Sequence, residues 1–228
     1  MANIVELKNV DKIYSGVVDT QVLFNINLSF EEGSFNSIVG ESGSGKSTLL
    51  NIIGTLDKPT RGEVLIHDNR INNLSKNKMA EIRNKIIGFV FQFHYLLPEF
   101  TAIENVLMPY NIGRKHDGKS ISKRADELFD LLGIAKVKNN MANKMSGGQQ
   151  QRTAIARALI NNPKIIVADE PTGNLDSENT ATIYKIFREI NKQFGTTFLI
   201  VTHDRRIAQE ADRIVEIKDG RITADVNK

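Results

Sequence analysis

Between Gly40 and Ser47 the sequence Gly-Glu-Ser-Gly-Ser-Gly-Lys-Ser places Gly40, Gly45, Lys46 and Ser47 at the spacing G-x-x-x-x-G-K-S. Glycines let a backbone curl until successive amides face one point, and a helix starting there adds potential favourable to an anion. A lysine at 46 can then reach terminal phosphates, and the Ser47 hydroxyl can ligate Mg²⁺. The run Gly40, Glu41, Ser42, Gly43, Ser44, Gly45, Lys46, Ser47 and Thr48 is therefore read as the binding loop for a nucleoside triphosphate with Mg²⁺.

Two further stretches carry chemistry. "KIIVADE" is an apolar strand ending in Asp169 and Glu170, which places two carboxylates at the carboxyl edge of a parallel sheet, where ligands of such folds bind. Asp169 suits Mg²⁺, directly or through water, and Glu170 suits polarising an attacking water. "MSGGQQQR", Met145 to Arg152, is a second glycine-rich loop opening a helix near Gln149, so Ser146 and the amides of Gly147 and Gly148 form another anion site of the same type.

The elements around these motifs predict an α/β fold. "IVELKNVDKIY" and "QVLFNINLSF" alternate apolar and polar residues as half-buried strands do, and "FNSIVG" is a strand feeding the first loop. Helical spacing follows from Leu49 to Leu56 and ends in "KPTRGEV". From about Ser75 to Lys144 the stretches "MAEIRNKI", "AIENVLMPYNI" and "SKRADELFDLLGI" predict a mostly helical insert. "RTAIARALI", "KIIVADEPT", "ATIYKIFREINKQF" and "TTFLIVTHD" then alternate helix and strand, as a parallel sheet requires. "RIVEIKDGRITAD" predicts a closing hairpin that turns at Asp219 and Gly220.

Composition narrows the classes. The 228 residues, 40% hydrophobic and 25% charged, suit one large globular domain or a domain carrying a subdomain. No apolar run reaches the roughly 18 to 20 residues that cross a bilayer, so no membrane span is expected. "MANIVELKNV" shows no secretion signal, and a cytoplasmic protein is expected. With no cysteine, thiol catalysis and zinc–thiolate sites are excluded. A net charge of +3 without a dense basic stripe gives no expectation of nucleic-acid binding.

With "MSGGQQQR" preceding "IIVADE", nearly the whole chain resembles the ATP-binding-cassette (ABC) ATPases, the nucleotide-hydrolysing subunits of ABC transporters. The resemblance implies a P-loop NTPase with a β-rich N-terminal subdomain, a RecA-like parallel-sheet core and an inserted α-helical subdomain. The core and antiparallel part would span about 1–90 and 155–228, and the helical part with the signature about 91–154. It also implies roles: Tyr14 stacks on adenine, Gln92 in "VFQFH" meets Mg²⁺ or the attacking water, and His203 in "VTHD" bonds the γ-phosphate beside Glu170. Ser146, Gly147, Gly148 and Gln149 bind the γ-phosphate of ATP held by a second subunit, and Asp176 in "GNLD" touches across the same interface. Each chain would carry halves of two sites, and a head-to-tail homodimer closed by ATP would complete both.

"GFVFQFHYLLPEFTAIENVLMP", Gly88 to Pro109, resembles the subgroup of lipoprotein-releasing and macrolide-exporting ATPases. Phe93 to Phe100 are then either core of the insert or a groove that receives a cytoplasmic helix of a transmembrane permease. The subgroup implies a location on the cytoplasmic face of the cell membrane and ATP-driven closure transmitted to an extracytoplasmic domain, serving lipoprotein release or drug or peptide export. The cargo is not encoded in this chain. Met145 replaces the commoner leucine, and "GNLD" replaces the commoner Ser-Ala-Leu-Asp. A soluble ABC-type ATPase of translation or DNA repair is the alternative, but it would bring a second cassette or long coiled coils. A small-molecule kinase would need neither the signature nor "VTHD".

Overall fold

A computed structural model describes residues 2–113 and 118–228. In chain order the elements begin with β1 (Asn3–Tyr14), β2 (Thr20–Glu31), β3 (Phe35–Val39), α1 (Lys46–Ile53), β4 (Arg61–Ile66) and β5 (Asn69–Arg70). They continue with α2 (Lys76–Ile86), β6 (Ile87–Phe91), α3 (Ala102–Ile112), α4 (Gly118–Leu131), α5 (Gly147–Leu159) and β7 (Ile165–Asp169). The last are α6 (Ser177–Phe194), β8 (Thr197–Val201), α7 (Arg205–Ala208), β9 (Arg213–Lys218) and β10 (Arg221–Asn227).

Among the described residues these strands make two sheets: an antiparallel one in the order β2-β1-β4-β5, and a six-stranded one in the order β10-β9-β3-β8-β7-β6. In the larger sheet β9, β3, β8, β7 and β6 run parallel, and β10 returns antiparallel along β9. The hairpin between β9 and β10 turns at Asp219 and Gly220, both with positive φ, where the sequence places it.

The strand interiors explain the layering. Alternate side chains of a strand point to opposite faces, so a continuously apolar strand must be covered on both. Ile166 and Ala168 of β7, with Phe198 and Ile200 of β8, join one buried cluster with residues of α3, α4, α5 and α6. Ile165, Val167, Leu199 and Val201 join the other, with α1 and the antiparallel sheet. The parallel sheet is thus a central layer between helices on one side and α1 plus the β-rich unit on the other.

The stretch from Ser75 to Lys144 is mostly helical, as expected, but it also carries one strand: β6 pairs in register with β7 from Ile87↔Ile165 to Phe91↔Asp169 and forms the sheet edge. Gly88 permits this strand: a Cβ there would meet the Ala158 carbonyl of α5 at 2.5 Å, so α5 packs directly on the strand backbone. Helix α1 ends at Ile53 rather than near Leu56, since Gly54 caps it, Thr55 takes φ 56° and Leu56 is exposed. In the other direction, α5 runs unbroken from Gly147 to Leu159, so the signature loop and the sheet-packing "RTAIARAL" belong to one rigid element.

Candidate active site

Parallel strands deliver their following residues to one edge, and here four strand ends along it carry the sequence motifs. β3 ends at Val39 before Gly40, β8 at Val201 before Thr202 and His203, β7 at Asp169 before Glu170, and β6 at Phe91 before Gln92. Because β3, β8, β7 and β6 are neighbours in that order, residues far apart in sequence converge without any contact being specified locally.

Val22, Gly40, Ser42, Gly43, Gly45, Lys46, Ser47, Thr48, Glu170 and His203 line a cleft of about 470 Å³ at this edge. Glycine is required at its rim. Gly40 has φ 154°, and a Cβ there would meet the Ile217 carbonyl at 2.1 Å; Gly45 has φ 104° and lies against Leu23 and the Val22 carbonyl. Gly43, at φ 79°, faces open space, which leaves its backbone approachable by a ligand. Below the loop, the buried Lys46 ammonium donates to the carbonyls of Gly40 at 2.9 Å and Glu41 at 2.6 Å. The last hairpin braces the loop, with the Gly220 amide donating to the Ser44 carbonyl at 3.0 Å.

Burial raises the Asp169 carboxyl above the usual carboxylate range and the Glu170 charge adds to this, against the Ser47 hydroxyl bond and the Lys46 charge that lower it. The carboxyl of Asp169 is thus within the electrostatic reach of Ser47, Lys46 and Glu170. Among the described residues no group of three or more His, Asp or Glu could hold a metal unaided. The oxygens of Ser47 and Asp169 nonetheless fit Mg²⁺, which commonly takes one or two protein oxygens and fills its octahedron with phosphate oxygens and water. Glu170 holds φ 46°, an unusual backbone for a non-glycine residue and one found where function constrains the chain. Its amide donates to the Val201 carbonyl at 3.0 Å, and its Oε2 lies 3.3 Å from His203 Nδ1.

Gln92 reaches the same sheet edge, but its side chain does not line the cleft. Its Nε2 donates to Asn174 Oδ1 at 3.2 Å and Asn174 Nδ2 returns a bond to its carbonyl at 3.2 Å, so its amide is turned toward the loop after β7. Tyr14 lies at the end of β1 and is 42% exposed. Its hydroxyl donates to Asp57 at 2.9 Å and the Lys12 ammonium stands 4.6 Å from the ring centroid, which fixes the ring as a partly open platform. Burial tends to raise the Asp57 carboxyl, but bonds from Lys12, the Lys58 amide and Tyr14 outweigh it and hold the group below its usual range.

The signature lies in a second cluster. Ser146 is the N-cap of α5: its Oγ accepts from the Gln149 amide at 3.4 Å while Gln149 Oε1 accepts from the Ser146 amide at 3.0 Å, a reciprocal capping box. Ser146 and Gly147 are exposed, so the start of the helix lies at the surface. Gly148 packs on the start of α6, where a Cβ would meet Asn179 Oδ1 at 2.8 Å. Asp176 caps α6, accepting from the Asn179 amide at 2.8 Å, and that bond chiefly holds its carboxyl below the usual range. Ser146, Gly147, Gly148, Gln149 and Asp176 are thus brought together, and none of them lines the phosphate cleft. Met145 is buried in the core, consistent with an apolar requirement that leucine would also meet.

Sequence reasoning left Gln150 and Gln151 without roles. Gln150 Nε2 donates to the carbonyls of Ala142 and Met145, both at 3.0 Å, and so fastens the loop that leads into Ser146. Gln151 is fully buried and bonds the Phe91 and Pro171 carbonyls and His94. A signal existed: Gln151 falls on the apolar face that continues through Ile155 and Leu159, and a polar side chain placed there must find partners.

A family model described as ABC transporter matches residues 23–173. The lipoprotein-releasing system ATP-binding protein LolD 1 of Rhodopseudomonas palustris is 48% identical over 224 residues, with 97% of this chain and 99% of that protein covered. The solved ATP-binding cassette MJ0796, described as a dimeric post-hydrolysis state bound to ADP and Pi, is similar at 45% identity and a TM-score of 0.90, with 98% of each chain covered. The structure of cbiO1 from Clostridium perfringens, described as part of the ABC transporter complex cbiONQ, matches at 30% identity and a TM-score of 0.90 over 100% of this chain and 89% of that one.

Proposed function

Because the chain belongs to the ABC transporter family of ATPases, we propose that it is the ATP-hydrolysing subunit of a membrane complex, working as a head-to-tail homodimer that ATP closes. One observation carries this reading: a single chain presents a phosphate cleft with a carboxylate beside it, and separately an outward-facing capped helix start that can bind an anion but lies outside that cleft. Two copies related by a twofold axis would set the signature of each against the cleft of the other. The dimeric MJ0796 cassette bound to ADP and Pi supports such a pairing.

In this mechanism the amides from Gly40 to Thr48 and the Lys46 ammonium hold the β- and γ-phosphates of ATP, and Tyr14 offers its ring to adenine. Ser47 and Asp169 would hold Mg²⁺, which would neutralise charge on the phosphates. The Glu170 carboxylate takes a proton from a water whose oxygen attacks the γ-phosphorus. The bond to the bridging oxygen breaks, and ADP leaves with phosphate as the second product. His203, already against Glu170, is placed to donate to the γ-phosphate. Gln92 serves as a sensor only if its amide leaves Asn174 and turns toward the metal and the water.

The work is coupled to a transmembrane permease. No helix among the described residues is long and apolar enough to cross a membrane. Phe93 and Tyr95 are 61% and 66% exposed and, with Leu96, Pro98 and Ala142, line a groove of about 450 Å³ immediately after β6. We assign this groove to a cytoplasmic helix of the permease, which would place the subunit on the cytoplasmic face of the membrane. The similarity to LolD 1 favours lipoprotein release over drug or peptide export as the task, with closure transmitted mechanically to an extracytoplasmic domain.

The test is to purify the intact complex from membranes, identify the bound permease and measure its ATP-dependent action on lipoprotein. A chain that carries no permease would overturn the assignment. Substituting Phe93→Glu together with Tyr95→Glu, both exposed on the groove, should abolish co-purification while the thermal midpoint stays within about 2 °C. Each buried aromatic or leucine contributes roughly 1.5–3 kcal/mol, so losing two should weaken docking by at least about a hundredfold. Undiminished assembly would remove the groove from the interface.

A further inference from the structure

Gln151 lies in the interior with every polar atom of its amide engaged. Its Nε2 donates to the Phe91 carbonyl at 3.3 Å and to the Pro171 carbonyl, which spends both N–H groups. Its Oε1 lies 2.5 Å from His94 Nδ1. A flipped amide would set its oxygen against two carbonyls, so Oε1 must face the histidine, and His94 Nδ1 must be the protonated donor. The chain of donors is directional: His94 to Gln151, and Gln151 to two backbone carbonyls.

The places of those carbonyls matter more than their number. Phe91 immediately precedes Gln92, and Pro171 immediately follows Glu170. One buried side chain on the signature helix therefore ties the backbone beside the candidate sensor to the backbone beside the general base, and its third partner stands in the exposed segment after β6. The same helix fixes that segment a second time: Arg157 donates to the carbonyls of His94 at 2.7 Å and Tyr95 at 2.6 Å. With the backbone at 94–95 so held, the His94 ring starts from a fixed point within reach of Gln151. Glu170 meanwhile keeps a left-handed backbone that relaxed chain would leave, so an external tie next to it has a task.

We infer that Gln151 is a positioning residue for ATP hydrolysis, with His94 as the group that orients its amide. It keeps the Glu170 carboxylate aimed at the attacking water and makes that aim depend on the segment that lines the docking groove. The inference rests on the assignment of general-base chemistry to Glu170. It predicts a kcat effect without a binding effect, because none of Gln151, His94, Phe91 and Pro171 lines the phosphate cleft.

The experiment measures steady-state hydrolysis and nucleotide affinity of the full-length chain for five variants beside the parent. Gln151→Met keeps length and loses every hydrogen bond, and should lower kcat about tenfold with KM for ATP within about twofold. Gln151→Glu sets oxygens against two carbonyls and should fall at least as far. His94→Phe removes the donor and keeps a ring, and should lower kcat severalfold; His94→Asn retains a donor at the δ position and should recover most of the loss. Should the Gln151 variants fail to fold, the half-exposed His94 pair decides the matter. Equal activity of His94→Phe and His94→Asn, or KM and kcat worsening together with a fallen thermal midpoint, would reduce the network to fold support and overturn the inference. Glu170→Gln is the fifth variant: its inactivity beside parent-like Gln151 variants would sink this inference alone, whereas an active Glu170→Gln would sink the general-base assignment and the inference together.

Discussion

Glu170→Gln should lower ATP hydrolysis by about 10²- to 10⁴-fold, the usual contribution of a positioned general base, while ATP binding persists and an ATP-bound dimer accumulates. Glutamine preserves the shape of the side chain, and the Glu170 amide bond to Val201 and the contact with His203 through an oxygen can both remain. What disappears is the proton acceptor and one negative charge beside Asp169 and the incoming γ-phosphate. Losing the acceptor blocks the chemical step, and losing the charge removes a repulsion that opposes closure around ATP, so both changes favour the closed state. Phosphate release measured with sizing in ATP and in ADP checks both halves. A variant that binds ATP yet stays monomeric would undercut the head-to-tail dimer, and one that hydrolyses within about twofold of the parent would remove Glu170 from the chemistry.

The location of this carboxylate could be foreseen because it depends on strand direction alone. An apolar run five to seven residues long that ends in acids, between helical stretches, has few places to go except a parallel sheet with the acids at its carboxyl edge. The phosphate loop, His203 and the turn at Asp219–Gly220 followed from equally local patterns. Strand β6 did not: "IGFVF" is short, lies between two helical segments and shows its identity only by pairing with β7. The side chain of Gln92 turns toward Asn174, 82 positions away, and Gln151 reaches partners 20, 57 and 60 positions away. Periodicity reports which face of an element is buried, and it carries no information about which distant carbonyl a buried amide will meet.

The geometry also accounts for two glycine-rich loops in one chain. The first is closed from within: Lys46 donates to its own loop carbonyls, the hairpin at Gly220 braces it, and Asp169 and Glu170 stand beside it. The second has its polar side chains committed to capping, while Ser146 and Gly147 remain at the surface. A helix start that is exposed and separate from the chain's own carboxylates would suit a phosphate presented by another molecule. Rigid continuity of α5 then links that outer loop to Gln151 and Arg157, so a contact at the signature and a contact at the groove would act on one helix.

Substitution at Ser146 separates this role from mere capping. Ser146→Phe should lower hydrolysis by at least about a hundredfold, since the bulky ring obstructs approach of the second subunit and the hydroxyl is lost from the anion site. It should also cost about 1 kcal/mol as a lost N-cap, a fall of roughly 2–4 °C in thermal midpoint. Affinity of the monomer for ATP should stay within about twofold, because Ser146 does not line the phosphate cleft. Ser146→Asp supplies the control. Aspartate is an excellent N-cap and interacts favourably with the helix N-terminus, so stability should match or exceed the parent. Its charge nevertheless occupies the place intended for a phosphate, and hydrolysis and ATP-dependent dimerisation should fall as far as in Ser146→Phe. Stable folding with lost closure would tie the loop to a ligand on the partner subunit. Full activity of the aspartate variant would instead leave capping as its whole task, and the two glycine-rich loops would no longer be halves of one site.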